Sequence, residues 1–413
     1  MIALYYLSGC TGVYLIELRT GLKKAITIEK RSIERILNLY PEEELLMRKT
    51  FQETYDDGYI TFSKLKKECE TICIPWQLFF LDYKKLNDQL THVERKRDFK
   101  VTGKYVTKRK GEGDISSKRI IDRLIRLQNF ILKEGDFSKN KFCGKLIGLS
   151  DKQAAKALVY TYLKFDRTRL WERKNIPKAL ERYIELVENL NINVSSGVLK
   201  NKILPEILSA RNIYKNTSGI CIHDQCVPMI FLPSETNQNE PDARQIYTLI
   251  FLLVCIGLNE FDVFIDEKLK AKKIKSNPKQ RKINRIVSEF FIPEFETNKF
   301  KNKEITLEFC SDCCYKYKVS FIALLTIFKN RQVISKEQYD EFYPDDYDKN
   351  KKSPIARTPA VHKSVKKFTG KLGYDTISRS LAAGTLPQTQ AQYLIFGTIN
   401  KKNFHKFRQE LNL

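Results

Sequence analysis

The sequence lacks an apolar run long enough to cross a bilayer, although one stretch at 243–258, ARQIYTLIFLLVCIGL, is strongly apolar. A membrane-spanning helix needs about 20 apolar residues, and here Arg244 and Glu260 bracket far fewer. Pro241 and Asp242, just before the stretch, are typical of a helix start. We therefore predict a central core helix that is apolar on every face, rather than a membrane segment.

The amino terminus lacks the features of a secretion signal. The stretch MIALYYLSGCTGVYLIELR is apolar, but no charged region precedes its apolar part, and it continues into charged, helix-like sequence. The ten cysteines are scattered over 413 residues and do not have the density of a disulfide scaffold. We therefore expect a protein of the reducing cytoplasm with free thiols.

Metal-ligand spacings are few. Two groups of residues could together ligate zinc, namely Cys310, Cys313 and Cys314, and Cys221, His223 and Cys226. However, C-x2-C on a predicted helix is not a zinc-ribbon knuckle, and Cys313 and Cys314 cannot point the same way. Buried thiols are therefore favoured over a metal site. We predict no bound metal and no cofactor.

Catalytic motifs are also missing. The chain has no Gly-rich phosphate loop, no Gly-x-Ser-x-Gly elbow and no paired carboxylates in a suitable context. His92, His362 and His405 are isolated, and we predict that they are surface or packing residues. The carboxylates at 345–348 fall in a Pro- and Lys-bearing segment and are predicted to be solvated. The sequence therefore points to no catalytic residue in these places.

Positive charge is what the chain has in excess. It contains 73 Lys and Arg against 49 Asp and Glu, which gives a formal net charge of +24. Such a surface attracts polyanions, so nucleic acid is the leading partner and an anionic membrane surface the second. A lysine-rich genome would also produce a basic chain without any such partner.

Two basic runs are the candidate nucleic-acid contacts. The run at 95–119 has ten basic and three acidic residues, and the run at 268–285 has nine basic and no acidic residues. Lysine-rich loops suit sequence-independent contacts with phosphates; solvated charge is the alternative. The candidate residues are Arg95, Lys96, Arg97, Lys108, Arg109, Lys110, Lys270, Lys272, Lys273, Lys275, Lys279, Arg281 and Lys282.

Hydrophobic periodicity predicts a mainly helical chain. Residues 1–85 are predicted to be mostly helical, with one helix over KRSIERILNLY, a second beginning at Pro41 and a third over TFSKLKKECETICI. Two short strands around Ile220–Ile222 and Met229–Leu232 are predicted to flank a polar turn. Residues 310–339 are predicted to form one long helix and a second short one.

Several stretches, taken in order, resemble the ImmA/IrrE family of zinc metallopeptidases, and in particular its long members with an N-terminal helix-turn-helix-like domain. In that family a small hairpin leads into a helix carrying an arginine, an aromatic-Thr-Leu step and the zinc motif His-Glu-x-x-His. GICIHDQCVPMIFLP resembles the hairpin, and Arg244 to Ile250 resemble the approach to the motif. INRIVSEFFIP resembles the downstream helix and places Glu289 at its metal-binding position. KVSFIALLTIF, ITFSKLKKECETICIPWQLFFLD and SLAAGTLPQTQAQYLIFGTI also fit.

The zinc motif itself is degenerate in this chain. Its positions, 251–255, are occupied by FLLVC, so Phe251 and Cys255 replace the two histidines and Leu252 replaces the general-base glutamate. A catalytic zinc site needs about three protein ligands and an open water position. Phe251 and Leu252 provide neither a ligand nor a base. The resemblance therefore implies a pseudo-peptidase in which Glu289 is a retained, ligand-like residue.

We expect an α+β, mainly helical protein with a small sheet. The predicted parts are an N-terminal helix-turn-helix-like helical domain, a basic linker, a central zincin-like (ImmA/IrrE-like) pseudo-peptidase domain and a C-terminal helical extension, at 1–92, 93–118, 119–343 and 344–413. The predicted N-terminal recognition helix opens with Glu42, Glu43 and Glu44, which would repel phosphate, so specific readout of DNA by it is not favoured.

The expected function is that of a catalytically inactive regulator. It would bind DNA, RNA or a protein partner such as a repressor-like protein or a toxin, and no membrane. The resemblance implies a mobile-element, toxin–antitoxin or phage-defence setting. Two alternatives stay open. One is an enzyme or toxin-like effector that uses a different site, built from residues such as Cys221, His223, Cys226 or Glu289. The other is a non-catalytic subunit of a defence or phage complex.

Overall fold

The computed structural model describes residues 15–19, 26–37, 57–71, 76–89, 105–107, 115–164, 166, 176–196, 219–232, 242–260, 278–343, 362–396 and 401–412. The chain divides into two compact units, 1–102 and 103–413, and each is described by itself. Across the described residues, no helix combines the length and the apolar character needed to cross a membrane.

The N-terminal unit combines a three-stranded sheet with helices. Strand β1 (Leu15–Arg19) pairs antiparallel with β2 (Ile26–Glu29) and parallel with β3 (Tyr59–Thr61). Helix α1 (Lys30–Leu37) follows β2 directly, and helix α2 (Phe62–Thr71) follows β3. Two of the three helices predicted here are therefore present.

The described residues of this segment are mostly helical, as predicted, but the three-stranded sheet was not predicted. Ile16, Leu18 and Ile28 point into the core, while the intervening side chains are partly or fully exposed. Each strand thus contributes only one or two inward side chains, too few for the alternation to stand out from loop sequence. The helix predicted to begin at Pro41 lies outside the described residues.

The C-terminal unit contains a second sheet and a longer series of helices. Its described strands are β4 (Tyr105–Thr107), β5 (Asn193–Ser196), β6 (Ile220–Ile222) and β7 (Met229–Leu232). Its described α-helices are α3 (Ile115–Glu134), α4 (Asp151–Lys156, continued by a π-helical turn at Ala157–Tyr162), α5 (Ile176–Glu188), α6 (Asp242–Leu258), α7 (Pro278–Phe291), α8 (Glu294–Asn298), α9 (Leu307–Tyr317), α10 (Phe321–Asn330), α11 (Lys336–Phe342), α12 (Val365–Ala382), α13 (Gln388–Phe396) and α14 (Lys401–Glu410).

The four strands form one sheet in the order β4-β6-β7-β5. The hairpin of β6 and β7 is present as predicted, with Cys221 opposite Ile230. β4 pairs antiparallel with β6 at one edge, and β5 pairs parallel with β7 at the other. β4 and the first residues of α3 fall within 93–118, which was predicted to be a linker, so part of that segment is regular structure.

Helices cover both faces of this sheet. On one face Ile230 and Leu232 belong to a core built with α4, α5, α6, α7, α9 and α10. On the other face Met229 and Phe231 belong to a core built with α3, α12, α13 and α14. Strands buried on both faces are continuous apolar runs, which explains ICI and MIFL. The described C-terminal helices are thus one layer of this unit, and the boundary predicted at residue 344 lies inside it.

The segment 310–339 was predicted to form one long and one short helix, but it contains residues of three helices, α9, α10 and α11. Lys318 ends α9 in the left-handed conformation, with φ 59°. The Ser320 hydroxyl then accepts a hydrogen bond from the Ala323 amide (3.4 Å) and caps α10. Glycine is the usual residue in this conformation and would have signalled the end of the helix, whereas a lysine there is uncommon. The sequence therefore did not reveal this break.

Edge strand β5 is joined to a break in α12. Helix α12 is interrupted at Gly370, which has φ 71° and ψ 169°. The Asn193 amide nitrogen of β5 donates to the Thr369 carbonyl (2.8 Å), and the Asn193 amide oxygen accepts from the Gly373 backbone amide (3.1 Å). One buried side chain therefore satisfies backbone groups on both sides of the break.

Candidate functional site at the apolar helix

Helix α6 lies in the core of the C-terminal unit. Phe251, Leu252 and Cys255 each have 0 % exposure. Of the 17 residues in α6, the only ones that are not buried are Asp242, Arg244 and Tyr247, and these are half-buried. The prediction of a core helix that is apolar on every side is confirmed, because even its motif positions face packed neighbours.

Close packing surrounds the motif positions. A Cβ atom added to Gly219, directly before β6, would lie 2.9 Å from Leu252 Cδ1. A Cβ atom added to Gly257, near the end of α6, would lie 2.6 Å from Leu146 Cδ1. Burial also raises the pKa of the Cys255 thiol far above its usual range, so this side chain is uncharged. The position of the predicted base is therefore filled by hydrocarbon against the sheet.

The glutamate that resembles a zinc ligand points away from α6. The contacts between α6 and α7 include Tyr247, whose ring stacks on Phe291 (5.8 Å between centroids) and whose hydroxyl lies 3.4 Å from Asn284 Oδ1. At 100° per residue, Glu289 lies roughly 150° around α7 from Asn284 and Phe291. The structure therefore does not bring Glu289 together with Phe251 on one face.

Glu289 instead takes part in a largely buried ion pair. Arg331 Nη2 donates to Glu289 Oε2 at 2.8 Å, with about 16 % and 15 % of the two side chains exposed. The same carboxylate accepts a hydrogen bond from the Glu294 backbone amide (3.1 Å) at the start of α8. Arg331 also donates to the Ile292 carbonyl. Through these contacts the Glu289 carboxylate connects α7, the start of α8 and the end of α10, which is a structural role.

Glu296 of α8 is the centre of a second polar cluster. Its carboxylate accepts from the Tyr317 hydroxyl (2.9 Å) and from Lys299 Nζ (2.6 Å), and Lys316 Nζ lies 3.5 Å away. Burial raises the pKa of Glu296, but the hydrogen bonds from Lys299 and Tyr317 and the charge of Lys316 outweigh it, so the pKa lies below its usual value. The ionised carboxylate thus holds α8 against α9.

This cluster predicts a pH dependence of stability. Because the pKa of Glu296 is lower in the folded protein than in the unfolded chain, its stabilisation is present above the unfolded pKa and is lost as pH falls through the folded pKa. We expect Glu296→Gln to lower the free energy of unfolding by about 1 kcal/mol at pH 7 and by less at pH 3. Urea unfolding at both pH values measures this, with the exposed Glu304→Gln as control. An equal loss at both pH values would contradict it.

The cysteines of the two candidate clusters lie mostly in the core. Cys221, Cys310 and Cys313 are buried, free thiols. Burial raises the pKa of Cys310 to about 11 and that of Cys313 to about 12, so both are protonated at neutral pH. No group of three or more His, Cys, Asp or Glu in the described part of the chain could hold a metal ion. In this protonated state the two thiols are poor nucleophiles.

Only the end of the second basic run is described. Lys279, Arg281 and Lys282 lie in the first turns of α7. Lys279 forms an ion pair with Glu260 (2.7 Å), and Arg285 of the same run pairs with Asp151 (2.5 Å). The other candidates lie outside the described residues: Arg95, Lys96, Arg97, Lys108, Arg109, Lys110, Lys270, Lys272, Lys273 and Lys275. The described part of this run is therefore partly neutralised within the protein.

A basic surface that the sequence analysis did not single out lies on α14. Phe404 and Phe407 are buried, whereas Lys401, Lys402 and Lys406 are exposed. The signal was present in KKNFHKFRQE, where two phenylalanines three residues apart mark an inner face and the cations occupy the outer one. With ten residues and four lysines and arginines, this helix is less conspicuous than the long basic runs.

No protein-family model matches this chain, no curated protein matches its sequence and no solved structure matches its fold.

Proposed function

We propose that this protein is a catalytically inactive, ImmA/IrrE-like regulator that binds nucleic acid. One observation carries the proposal: the helix at the place of the zinc motif is the apolar centre of the core, with Phe251, Leu252 and Cys255 at 0 % exposure. The resemblance rests on the order of hairpin, apolar helix and glutamate-bearing helix, and that order is present as β6–β7, α6 and α7.

The packing supports the loss of peptidase chemistry. Zinc hydrolysis needs a metal with an open coordination position and a base that takes a proton from the bound water. A hydrocarbon side chain occupies the base position, and Glu289 is bound to Arg331 on another side of α7. A core that lost its ligands but kept buried polar groups would be unstable, because each unpaired group costs about 1–3 kcal/mol. The apolar residues at 249–258 of α6 avoid that cost.

The charge supports a polyanionic partner. Ion pairs within the protein cannot neutralise all of its positive charge, because 73 Lys and Arg face only 49 Asp and Glu and leave a net charge of +24. Phosphates of nucleic acid would neutralise such a surface and release counterions. A setting in a mobile element, a toxin–antitoxin pair or phage defence follows from the resemblance and belongs to the proposal.

The alternative of an enzyme with another active site has less support from the geometry. Of its candidate residues, Cys221 is fully buried in β6, and burial raises the pKa of its thiol well above the usual value. Glu289 is engaged with Arg331. A protein-binding role remains the second candidate: a repressor-like protein or a toxin, or a defence or phage complex in which this chain is a non-catalytic subunit. Co-purification of a fixed partner without nucleic acid would favour it.

Binding across salt tests the proposal. We expect the purified protein to bind labelled 20-mer DNA or RNA at 50 mM salt and to lose about 10³-fold or more in affinity by 200 mM, as expected for six or more phosphate contacts. Fluorescence anisotropy measures the affinity, and elemental analysis of the same preparation is expected to find no stoichiometric zinc. Absence of binding at low salt would refute the nucleic-acid role, and stoichiometric zinc would refute the inactive site.

A further inference from the structure

Helix α14 is held on the protein by one face and presents cations on the other. Phe404 and Phe407 pack into the core shared with α3 and α12, and the Phe407 ring meets Tyr374 of α12 at 6.0 Å. Lys402 and Lys406 lie one turn apart on the opposite, exposed side. Lys401 and His405 are also exposed and form a parallel row on the same outer face.

These cations are not neutralised within the part of the chain that the structure describes. No ion pair there involves Lys401, Lys402 or Lys406. The only carboxylate of the helix, Glu410, lies 3.4 Å from His362 Nε2 in the short helical turn before α12. Like charges four residues apart disfavour a helix. The outer face thus has a repulsion that a bound polyanion would relieve.

On α7, by contrast, part of the positive charge is already neutralised within the protein. In α7, Lys279 and Arg285 already have carboxylate partners in Glu260 and Asp151. A phosphate that bound at Lys279 or Arg285 would have to displace those pairs, whereas Arg281 is exposed on the same helix with no ion pair among the described residues. On α14 the lysines are exposed without such pairs, so phosphate contact costs no existing interaction.

We propose that the outer face of α14 binds the phosphates of duplex DNA, with the helix lying along the major groove. The inference rests on the proposed nucleic-acid role and names its surface and its ligand. An α-helix with its side chains is about 10–12 Å across, and the major groove of B-DNA is about 12 Å wide. Over the roughly 15 Å length of ten helical residues, a duplex presents about nine phosphate charges.

One feature of α14 and one property of duplex RNA favour duplex DNA over other nucleic acids. Single-strand binders stack bases on exposed aromatic side chains, and both aromatic residues of α14 are buried. Duplex RNA has a deep and narrow major groove that does not admit a helix. A rigid row of lysines without a stacking platform therefore fits the regular backbone of a DNA duplex.

The test compares two triple variants with the same change in charge. Lys401→Gln/Lys402→Gln/Lys406→Gln removes three charges from α14, and Lys139→Gln/Lys141→Gln/Lys145→Gln removes three exposed charges from the loop after α3. Anisotropy with a 20-bp DNA duplex is measured over a salt series. We expect the α14 variant to lose at least about tenfold in affinity and to lower the salt slope by about 2–3, and the loop variant to lose less than about threefold.

The outcomes separate this inference from the proposed function. If the wild-type protein binds DNA and both variants lose affinity equally, the site on α14 is wrong and the nucleic-acid role stands. If the wild-type protein prefers single-stranded DNA or duplex RNA of the same length, the choice of ligand is wrong. If it binds no nucleic acid at 50 mM salt, both proposals fail. Circular dichroism melting of each variant establishes that the fold is retained, since surface substitutions change stability little.

Discussion

Replacement of Gly370 by alanine is expected to lower the free energy of unfolding of the C-terminal unit by about 3–5 kcal/mol. With φ 71° and ψ 169°, Gly370 occupies backbone space that is open essentially only to glycine. A Cβ atom there would lie 2.4 Å from Asn193 Oδ1. Alanine would therefore strain the backbone and also push Asn193 away from the groups it binds. Urea or thermal unfolding followed by circular dichroism measures the loss.

Gly384 provides the matched control in the same chain. It has φ 72°, and a Cβ atom added there would meet no atom within 4 Å. Gly384→Ala therefore carries the cost of a left-handed alanine alone, about 1–2 kcal/mol. The difference between the two variants reports the contact with Asn193 together with the additional backbone strain at Gly370. Equal losses would mean that the junction between β5 and α12 is looser than its hydrogen bonds indicate.

The junction matters because it closes an exposed sheet edge. β5 is the last strand of the sheet, and its free side would otherwise present unpaired backbone groups. Helix α12 covers it, with Asn193 bonded to Thr369 and Gly373 and with the Glu188 carboxylate accepting from the Lys371 amide (2.7 Å). Burial raises the pKa of Glu188 even though hydrogen bonds and nearby lysines oppose the shift.

The sequence predicts those parts of the fold that are apolar on all sides. The hairpin strands ICI and MIFL are continuous apolar runs because helices cover both faces of the sheet, and the structure places them at the predicted residues. Helix α6 is predicted for the same reason and begins at Asp242 as expected. In these elements nearly every buried residue is apolar, so the sequence alone indicates which residues are buried.

Other elements cannot be recognised from the residue types of their own segment. Strand β5 has the sequence NVSS, and its Asn193 and Ser195 are buried because they bind backbone groups of α12, which lies more than 170 residues away. Polar residues in a short segment predict a loop. Only a long-range contact makes them a strand, and no local pattern contains that contact. The strands of the N-terminal unit are missed for the related reason that they are very short.

At the candidate site, too, some properties follow from the sequence and others only from the structure. That Phe251 and Leu252 cannot act in zinc chemistry follows from their side chains alone, and the structure adds that they and Cys255 are fully buried. The role of Glu289 does not follow from the sequence, because its partner Arg331 lies 42 residues away, with three helices between them along the chain. The direction in which the Glu289 side chain points depends on which face of α7 packs on α6. The contacts of Tyr247 with Asn284 and Phe291 identify that face.

Introducing a His-Glu-x-x-His motif at 251–255 is expected to unfold the C-terminal unit rather than to create a peptidase. The triple variant Phe251→His/Leu252→Glu/Cys255→His places three polar groups at positions with 0 % exposure. Leu252→Glu alone buries a carboxyl group against the sheet, so we expect a loss above about 4–5 kcal/mol. Near-ultraviolet circular dichroism and elemental analysis for zinc, after addition of one equivalent, measure folding and metal binding together.

The control replaces the same side chain without changing its polarity. Leu252→Met conserves volume and is expected to cost less than about 1.5 kcal/mol. A folded triple variant that binds one zinc ion, and loses it on Glu289→Gln, would contradict the geometry, because Glu289 would then have to leave Arg331 and turn toward α6. Such a result would mean that the side chains around Leu252 can make room for a metal site. The packing of Leu252 against Gly219, and the ion pair on the far side of α7, instead indicate that neither Leu252 nor Glu289 is placed for zinc chemistry.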